Sequence, residues 1–477
     1  MIRPHRRSGR SSPIRPFDCP PGHGTSTQSR HPAHRAHCSS SSTQKSRSSS
    51  TRSRRYSSRM VIHESAAKGF AAGADAYERG RPEYSPEAVE RLIAELAIGP
   101  GSRVLDLAAG TGKLTRQLVW TGAELVAVEP VAEMRAKLQA VLPVVEAIEG
   151  TAESIPLPNH SVDAVVVGQA FHWFDGIRAV SEIRRVLKPE GALGLIWQAR
   201  ELSRPWIERL DAIIDRVDDG HPRFRTMAWR EAFDRTALMA PLGSATFRTV
   251  QRGSPETIVD RVASISYIAA MSEGRRAAVL DEVRVLLAAD EDTAGAEVVE
   301  LPYTAHIYWT RPRQAAAGPS TGLVVSVNTS PGGVPKRPIA GARMHWRGLE
   351  GDAHSEPEPV HGTPEQAACL YALEAIERVR ADGHQAFPGT YGENFTLLGL
   401  DWAVLRPGDR MRIGTAGPLL ELTDYATPCA TQERWFTNRR YGRISQRKHP
   451  EDARWYAAVL EEGYVAPGDE VHLIRTA

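Results

Sequence analysis

The stretch RVLDLAAGTGKLT from Arg103 to Thr115, followed by VAVEP from Val126 to Pro130, restricts the possible folds of this chain more than any other segment. It reads as a short apolar run, a loop of small residues, a helical stretch, and a second apolar run that ends on a carboxylate. Short apolar runs joined by a helical crossover are strands buried on both faces, so they belong to a parallel sheet covered by helices. Gly110 and Gly112 allow backbone to approach a ligand without a β-carbon in the way. Glu129, 17 residues beyond Gly112, sits where an acid can accept both hydroxyls of a ribose. The strict dinucleotide pattern wants a third small residue where Thr115 stands. A nucleoside is therefore the first reading, and a nicotinamide oxidoreductase stays as the second.

The alternation continues on either side. Strands are expected over 103–107, 124–128, 144–149, 162–168 and 192–197, with helices over 114–120, 130–141 and 177–187. This predicts an α/β, Rossmann-like, doubly wound and mostly parallel sheet over residues 60–312. Residues 200–290 read as helix-rich, with helical spacing over 206–217 and 279–289, before a late strand over 298–309. A linker is expected at 313–321. From 322 to 477 the texture changes to short strands and Gly/Pro turns with one helix, 364–379. Two similar pieces, RPGDRMRI (406–413) and APGDEVHL (466–473), each place a Pro-Gly-Asp turn before an alternating run. Their repetition predicts a β-barrel for this part.

Charge narrows the partners. Residues 1–59 hold 13 Arg and Lys against one acid, Asp18, leaving 46 basic and 56 acidic residues for the remainder. The folded part is thus acidic, and nucleic-acid binding is not expected of it. The Ser/Arg-rich first 59 residues cannot bury enough apolar surface to fold. Three readings stand: an extension of the gene model upstream of Met60, an organelle transit peptide, or a basic disordered arm. The expected location is the cytoplasm, or mitochondria or another organelle if that tract is a transit peptide. No apolar run is long enough to span a membrane. Cys19, Cys38, Cys369 and Cys429 have no metal-type spacing and fit a reducing compartment. Nothing in the pattern sets an oligomeric state.

Further motifs follow in order: YERGRPEY (77–84), GTAESIPLP (150–158), SVDAVVVGQAFHWF (161–174) and LKPEG (187–191). With the glycine loop they resemble class I S-adenosylmethionine-dependent methyltransferases, most closely the type-11, trans-aconitate-methyltransferase-like group. The resemblance covers about residues 60–311. It implies S-adenosyl-L-methionine as cofactor, with Asp106, Gly110 and Gly112 lining its methionine end and Glu129 holding its ribose. Ala152 and Glu153 would flank the adenine, and Gln169 would close the site. Ala108 stands where the family often has glycine and is counted with the binding loop. The acceptor would be a small molecule with a carboxylate or hydroxyl group. A carboxylate needs no base; for a hydroxyl, His172 is the catalytic candidate. Against this, the aromatics of FHWF would wall the pocket while His172 bonds backbone. Tyr77, Arg81 and Trp173 are acceptor-pocket candidates, and Arg81 is able to pair a carboxylate bidentately.

The second half carries SPGGVPK (330–336), GLEGDAH (348–354), HGTPEQAACLY (361–371), GTYGENF (389–395) and TPCATQ (427–432). Glycines here surround Lys336, Asp352, His354, His361, Glu393 and Asn394, and Cys429 follows a strand expected at 418–422. A thiolate in such a setting is able to bind a soft metal or carry sulfur. The ordered set resembles MOSC domains. That resemblance implies molybdenum cofactor, with Cys429 as the catalytic and metal-ligating residue and Lys336, His361 and Asn394 lining the pterin pocket. The alternative is a non-catalytic regulatory or sulfur-carrier module. Cys369 reads as a core residue on the apolar side of the 364–379 helix.

Overall fold

Strands β1 (Arg103–Leu107), β2 (Glu124–Val128), β3 (Glu146–Ile148), β4 (Val162–Gly168) and β5 (Leu187–Arg200) are hydrogen-bonded in the order β3-β2-β1-β4-β5, all parallel. Two antiparallel strands complete this seven-stranded sheet: β7 (Val299–Thr310) on β5, and β6 (Gly243–Gly253) on its edge. The computed structural model describes residue 69 and residues 75–315, 320–353 and 363–475. Residues 1–59, where the transit-peptide, arm and gene-model readings fall, lie outside these, as does His361.

The strands read as continuous apolar runs because helices cover both faces of the sheet. On one face α1 (Pro86–Leu96) buries Ala88, Val89, Leu92, Ile93 and Leu96. Its start is set by Ser85, whose hydroxyl accepts the amide of Ala88 at 3.3 Å, and by Pro86 at the first helical position. Gly194 of β5 lies so close under it that a β-carbon there would sit 2.6 Å from Leu96. The other face carries α4 (Gly176–Val186), which buries Ala179, Val180, Ile183 and Val186. Between these come α2 (Lys113–Leu118) and α3 (Ala132–Val141). The strand order reverses between β1 and β4, which opens a crevice at the carboxyl ends of the strands.

The segment expected to be helix-rich does hold α5 (Pro205–Arg216), α6 (Pro255–Ala263) and α7 (Glu273–Ala289), but also β6. As an edge strand with alternating half-buried and exposed residues, β6 has no apolar run to announce it. β5 extends beyond the expected 192–197 at both ends, because β4 pairs with its start at Val162↔Leu187 and β7 with its second half as far as Arg200↔Tyr303.

The C-terminal half is a closed barrel of seven strands: β13 (Phe395–Leu398), β12 (Ala368–Ala372), β16 (Arg454–Glu461), β15 (Leu419–Ala426), β14 (Arg410–Ile413), β18 (Glu470–Ile474) and β8 (Thr321–Thr329). Pairing of β8 with β13 closes it, and β9 (Arg337–Ile339) prolongs it along β8. A three-stranded sheet of β10 (Ala342–His345), β11 (Gly348–Leu349) and β17 (Gly463–Val465) completes this half. The two Pro-Gly-Asp strands are antiparallel partners, with Met411 opposite Leu473. In each turn the aspartate carboxylate accepts a backbone amide three residues back, Asp409 from Arg406 at 2.9 Å and Asp469 from Ala466 at 2.8 Å. The helix expected at 364–379 is a correction. Pro364–Gln366 is a single 3-10 turn, Ala368–Ala372 is a strand with every residue buried, and only Leu373–Ala381 is α-helix, α8. Cys369 is buried as expected, but on β12.

The halves share a core. Leu323, Val325, Leu373 and Leu398 pack with Val180, Trp229, Leu238 and Tyr308. The amide of Ala237 bonds the carbonyl of Val325 at 2.7 Å. Arg184 pairs Glu377 at 3.4 Å and Arg380 pairs Glu182 at 3.3 Å, all four side chains being largely buried. Of the expected linker, Arg313 and Gln314 are bonded to Leu238 and Pro189 of the first half. Among the described residues, no helix is long and apolar enough to cross a membrane.

Candidate active site

The crevice is an open cleft with an empty volume of about 800 Å³. β2 delivers Glu129 into its wall, 5% exposed, and the carboxylate is fixed by backbone: Gly110 N–H donates to Oε2 at 2.9 Å and Val131 N–H to Oε1 at 2.8 Å. Each oxygen keeps a further lone pair free to accept another hydrogen bond. Burial raises the pKa of Glu129, opposed by those two amides. Ala108, Gly110, Ala152, Glu153 and Gln169 line the same cleft. A β-carbon built on Gly110 meets nothing within 4 Å, so open space lies beside that backbone. Glu153 accepts the amide of Asp175 at 2.9 Å, tying its loop to the start of α4. Gln169 follows β4 with φ of 59°, a left-handed conformation rare for a non-glycine.

Two expected cofactor residues stand behind the wall rather than in it. Asp106 is 2% exposed and accepts the Thr115 hydroxyl at 2.6 Å, bracing the glycine loop from below. Gly112 caps α2 with φ of 83°, and a β-carbon there would press on Leu138 at 3.0 Å. His172, the catalytic candidate, has one ring nitrogen engaged. The indole N–H of Trp197 donates to His172 Nδ1 at 3.1 Å. An indole nitrogen only donates, so Nδ1 is the bare nitrogen and Nε2 carries the ring proton. Burial, aided by the Arg81 guanidinium, pushes the ring's pKa down to about 3. A neutral ring whose lone pair is occupied does not take a proton from an acceptor. Trp173 and Phe174 do line the cleft.

Tyr77 and Gln169 also line a second, smaller cavity of about 280 Å³ with Arg81, Gln198, Arg261 and Tyr303. Arg81 was a candidate from its motif. Arg261 lies on α6, within the segment whose pattern assigned no roles, and no sequence signal marked it.

In the barrel half, Lys336 and Asn394 are buried around one carboxylate. Lys336 Nζ is ion-paired with Asp352, and Asn394 Nδ2 donates to the same Asp352 oxygen at 2.9 Å. Cys429 is partly exposed, and its Sγ lies 2.8 Å from the Thr431 hydroxyl. Its amide bonds Gln432 Oε1 at 3.2 Å, and Gln432 in turn donates to the Tyr391 carbonyl at 2.6 Å. Arg454 ties the strand before Cys429 to the same loop, through the carbonyls of Ala426, Thr427 and Tyr391. The Gly-Glu-Asn and Pro-Cys segments are thereby neighbours. Burial holds the Cys369 thiol above its ordinary pKa, which suits an inert core thiol.

Comparison with known proteins agrees with both halves. A family model described as Methyltransferase domain matches residues 105–195, and one described as MOSC domain matches residues 357–472. An uncharacterised methyltransferase of Mycobacterium tuberculosis is 44% identical over 242 residues, covering 49% of this chain and 91% of that protein. The chain belongs to the methyltransferase family. An uncharacterised methyltransferase-like protein of Schizosaccharomyces pombe is 40% identical over 167 residues, 35% of this chain and 65% of that one. A putative methyltransferase of Anabaena variabilis, solved by crystallography, is 22% identical, covers 47% of this chain and 97% of its own, and has a TM-score of 0.36.

Two outcomes follow for the methyltransferase half. Ala108 has φ of 58°, the reason glycine suits this position of the loop. Ala108→Gly should therefore be neutral or stabilising, by about 0.5 kcal/mol, where most Ala→Gly changes destabilise; a clearly lowered thermal midpoint would contradict this. Asp106 is raised to about 7 by burial, against the Thr115 hydrogen bond. Below about pH 4 the carboxyl is protonated folded and unfolded and contributes nothing. Between about pH 4 and 7 the unfolded chain releases the proton that the folded chain keeps, so stability falls as pH rises. Asp106→Asn should thus gain up to about 4 kcal/mol over wild type at pH 8 and almost nothing at pH 4, read from paired melts at the two pH values.

Proposed function

We propose that the first half transfers a methyl group from S-adenosylmethionine to the oxygen of a small-molecule carboxylate or hydroxyl. The observation that carries this reading is the Glu129 carboxylate, pinned by two backbone amides in the wall of an open cleft. The cofactor supplies a methyl group already activated on a sulfonium. Glu129 grips the ribose with its remaining lone pairs, while Ala108 and Gly110 offer backbone to the methionine end and Ala152 and Glu153 flank the adenine. Tyr77 and Gln169, shared by both cavities, stand where donor and acceptor meet. Their work is alignment and exclusion of water, which suffices for an in-line displacement. A carboxylate acceptor is favoured over a hydroxyl because His172, with Nδ1 occupied, is no base. A malonyl-acyl-carrier-protein O-methyltransferase of Pectobacterium atrosepticum, 32% identical over 150 residues (30% of this chain, 58% of that one), supports an oxygen acceptor.

For residues 322–477 we infer a MOSC module that takes molybdenum cofactor or a sulfur atom on Cys429. The fit rests on the part-exposed thiol and on Arg454, which holds the carbonyls of Ala426 and Thr427 just before it and keeps a buried Nε without a partner among the described residues. Lys336 and Asn394 are spent on Asp352 and organise the loops instead of meeting the pterin directly.

Calorimetric titration with S-adenosylhomocysteine and with NAD tests the first half; binding of NAD alone would replace the reading with an oxidoreductase. Incubation with a labelled methyl donor and a metabolite extract, followed by mass spectrometry, identifies the acceptor. Metal analysis of the same preparation, alongside Cys429→Ser, tests the second half. A metal content that is unchanged by the substitution would remove Cys429 as ligand.

A further inference from the structure

The smaller cavity behind Tyr77 and Gln169 carries charge that the protein leaves uncompensated. Three neighbouring cations are paired: Lys113 with Glu83 at 2.9 Å, Arg200 with Asp211 at 2.6 Å and Arg79 with Asp260 at 2.8 Å. Among the described residues, Arg81 and Arg261 have no carboxylate partner. Arg81 bonds only the hydroxyl and carbonyl oxygens of Ser264, at 3.0 and 3.4 Å, and lies over the Tyr77 ring at 5.1 Å. Arg261 is 7% exposed, bonds the Tyr303 hydroxyl at 3.2 Å, and has Nη1 buried with no partner.

Two guanidinium groups facing one small cavity without a carboxylate between them repel each other and forfeit hydration. Burial, and then the Arg81 charge, lower the Arg261 pKa to about 9. Such an arrangement is costly unless an anion completes it. Planar N–H forks match a carboxylate bidentately, and the surroundings contribute hydroxyls and amides but no competing acid on the two arginines.

We propose that Arg81 and Arg261 form the anion-binding end of the acceptor pocket and hold a carboxylate of the methyl acceptor, which makes the substrate a small organic acid. This rests on the methyltransferase reading and deepens it by naming the substrate class. The cavity adjoins the cofactor cleft, with Tyr77 and Gln169 lining both, so the proposal sets an acid held there next to the donor. When a carboxylate oxygen is the nucleophile, a C–O bond forms as the S–CH₃ bond breaks, the electron pair stays on sulfur, and no proton moves.

The test uses the full chain saturated with S-adenosylhomocysteine and titrates malonate, inorganic phosphate and the neutral malonamide. Malonate is expected to bind, malonamide is not, and Arg81→Met and Arg261→Met should each weaken malonate about 10-fold or more. Both should leave affinity for S-adenosylhomocysteine within about twofold, because neither arginine lines the larger cleft. Arg261→Met removes a buried unpaired charge, so without ligand it should melt higher than wild type and lose the malonate-induced rise. Arg261→Lys, which keeps the charge but not the fork, should fall between the two. Malonate binding indifferent to both arginines, malonamide binding equally well, or phosphate binding more tightly than malonate would each overturn the proposal. The same malonate titrations are repeated without S-adenosylhomocysteine, so failure to bind that cofactor product is a separate result that sinks the methyltransferase reading while the arginine dependence of malonate is still read.

Discussion

Replacing Arg185 by alanine is expected to destabilise the protein by about 3–5 kcal/mol, among the largest effects of any single change. Arg185 is 7% exposed on α4 and spends its donors fully. Nε and Nη2 each reach Glu182 at 2.8 Å, Nη2 also bonds the Ile155 carbonyl, and Nη1 bonds the Leu157 carbonyl and Asn159 Oδ1. Glu182, 3% exposed, also accepts the Ile155 amide at 2.7 Å. Alanine would leave that carboxylate with only the more distant Arg380 for a charge partner and orphan two buried carbonyls. The loop so released follows Ala152 and Glu153 of the cofactor cleft, so affinity for S-adenosylhomocysteine should fall with stability. Denaturant melts and calorimetry check both. The double change Glu182→Gln with Arg185→Met, which removes both charges, should recover much of the loss. A single-mutant cost under about 1 kcal/mol would show the network to be dispensable.

Glu129→Ala should weaken S-adenosylhomocysteine about 1000-fold, from two charge-assisted hydrogen bonds lost to the ribose and two amides left unpaired. Glu129→Gln is the sharper variant. One end of its side-chain amide is a donor, yet both positions face backbone donors, Gly110 N–H and Val131 N–H. Whichever way the amide turns, one N–H meets another, so a loss of about 100-fold is expected despite nearly unchanged shape. Glutamine binding within threefold of wild type would mean that this carboxylate does not hold the sugar.

Much of this was legible before folding because it was local. β1, β2 and β4 lie at the expected residues, since a strand buried on both faces must be a short unbroken apolar run. The glycine loop and Glu129 were readable for the same reason: fixed spacing along one crossover puts them together. The segment 364–379 was misread because an alanine-rich apolar run suits a buried strand and a buried helix alike, and only its neighbours β13 and β16 decide between them.

The role of His172 lay further out of reach. Its motif placed it by the cleft, but which ring nitrogen stays bare is set by the Trp197 indole, 25 residues away on the next strand. Arg261 is 180 residues from Arg81, and nothing in either neighbourhood refers to the other. Periodicity, turn chemistry and short-range spacing determined the two architectures and the glycine loop with its carboxylate. Which side chains face each other across the cavity, and which charges are left without a partner, was decided only by tertiary packing, because electrostatic pairing depends on distance in space and leaves no trace in sequence order.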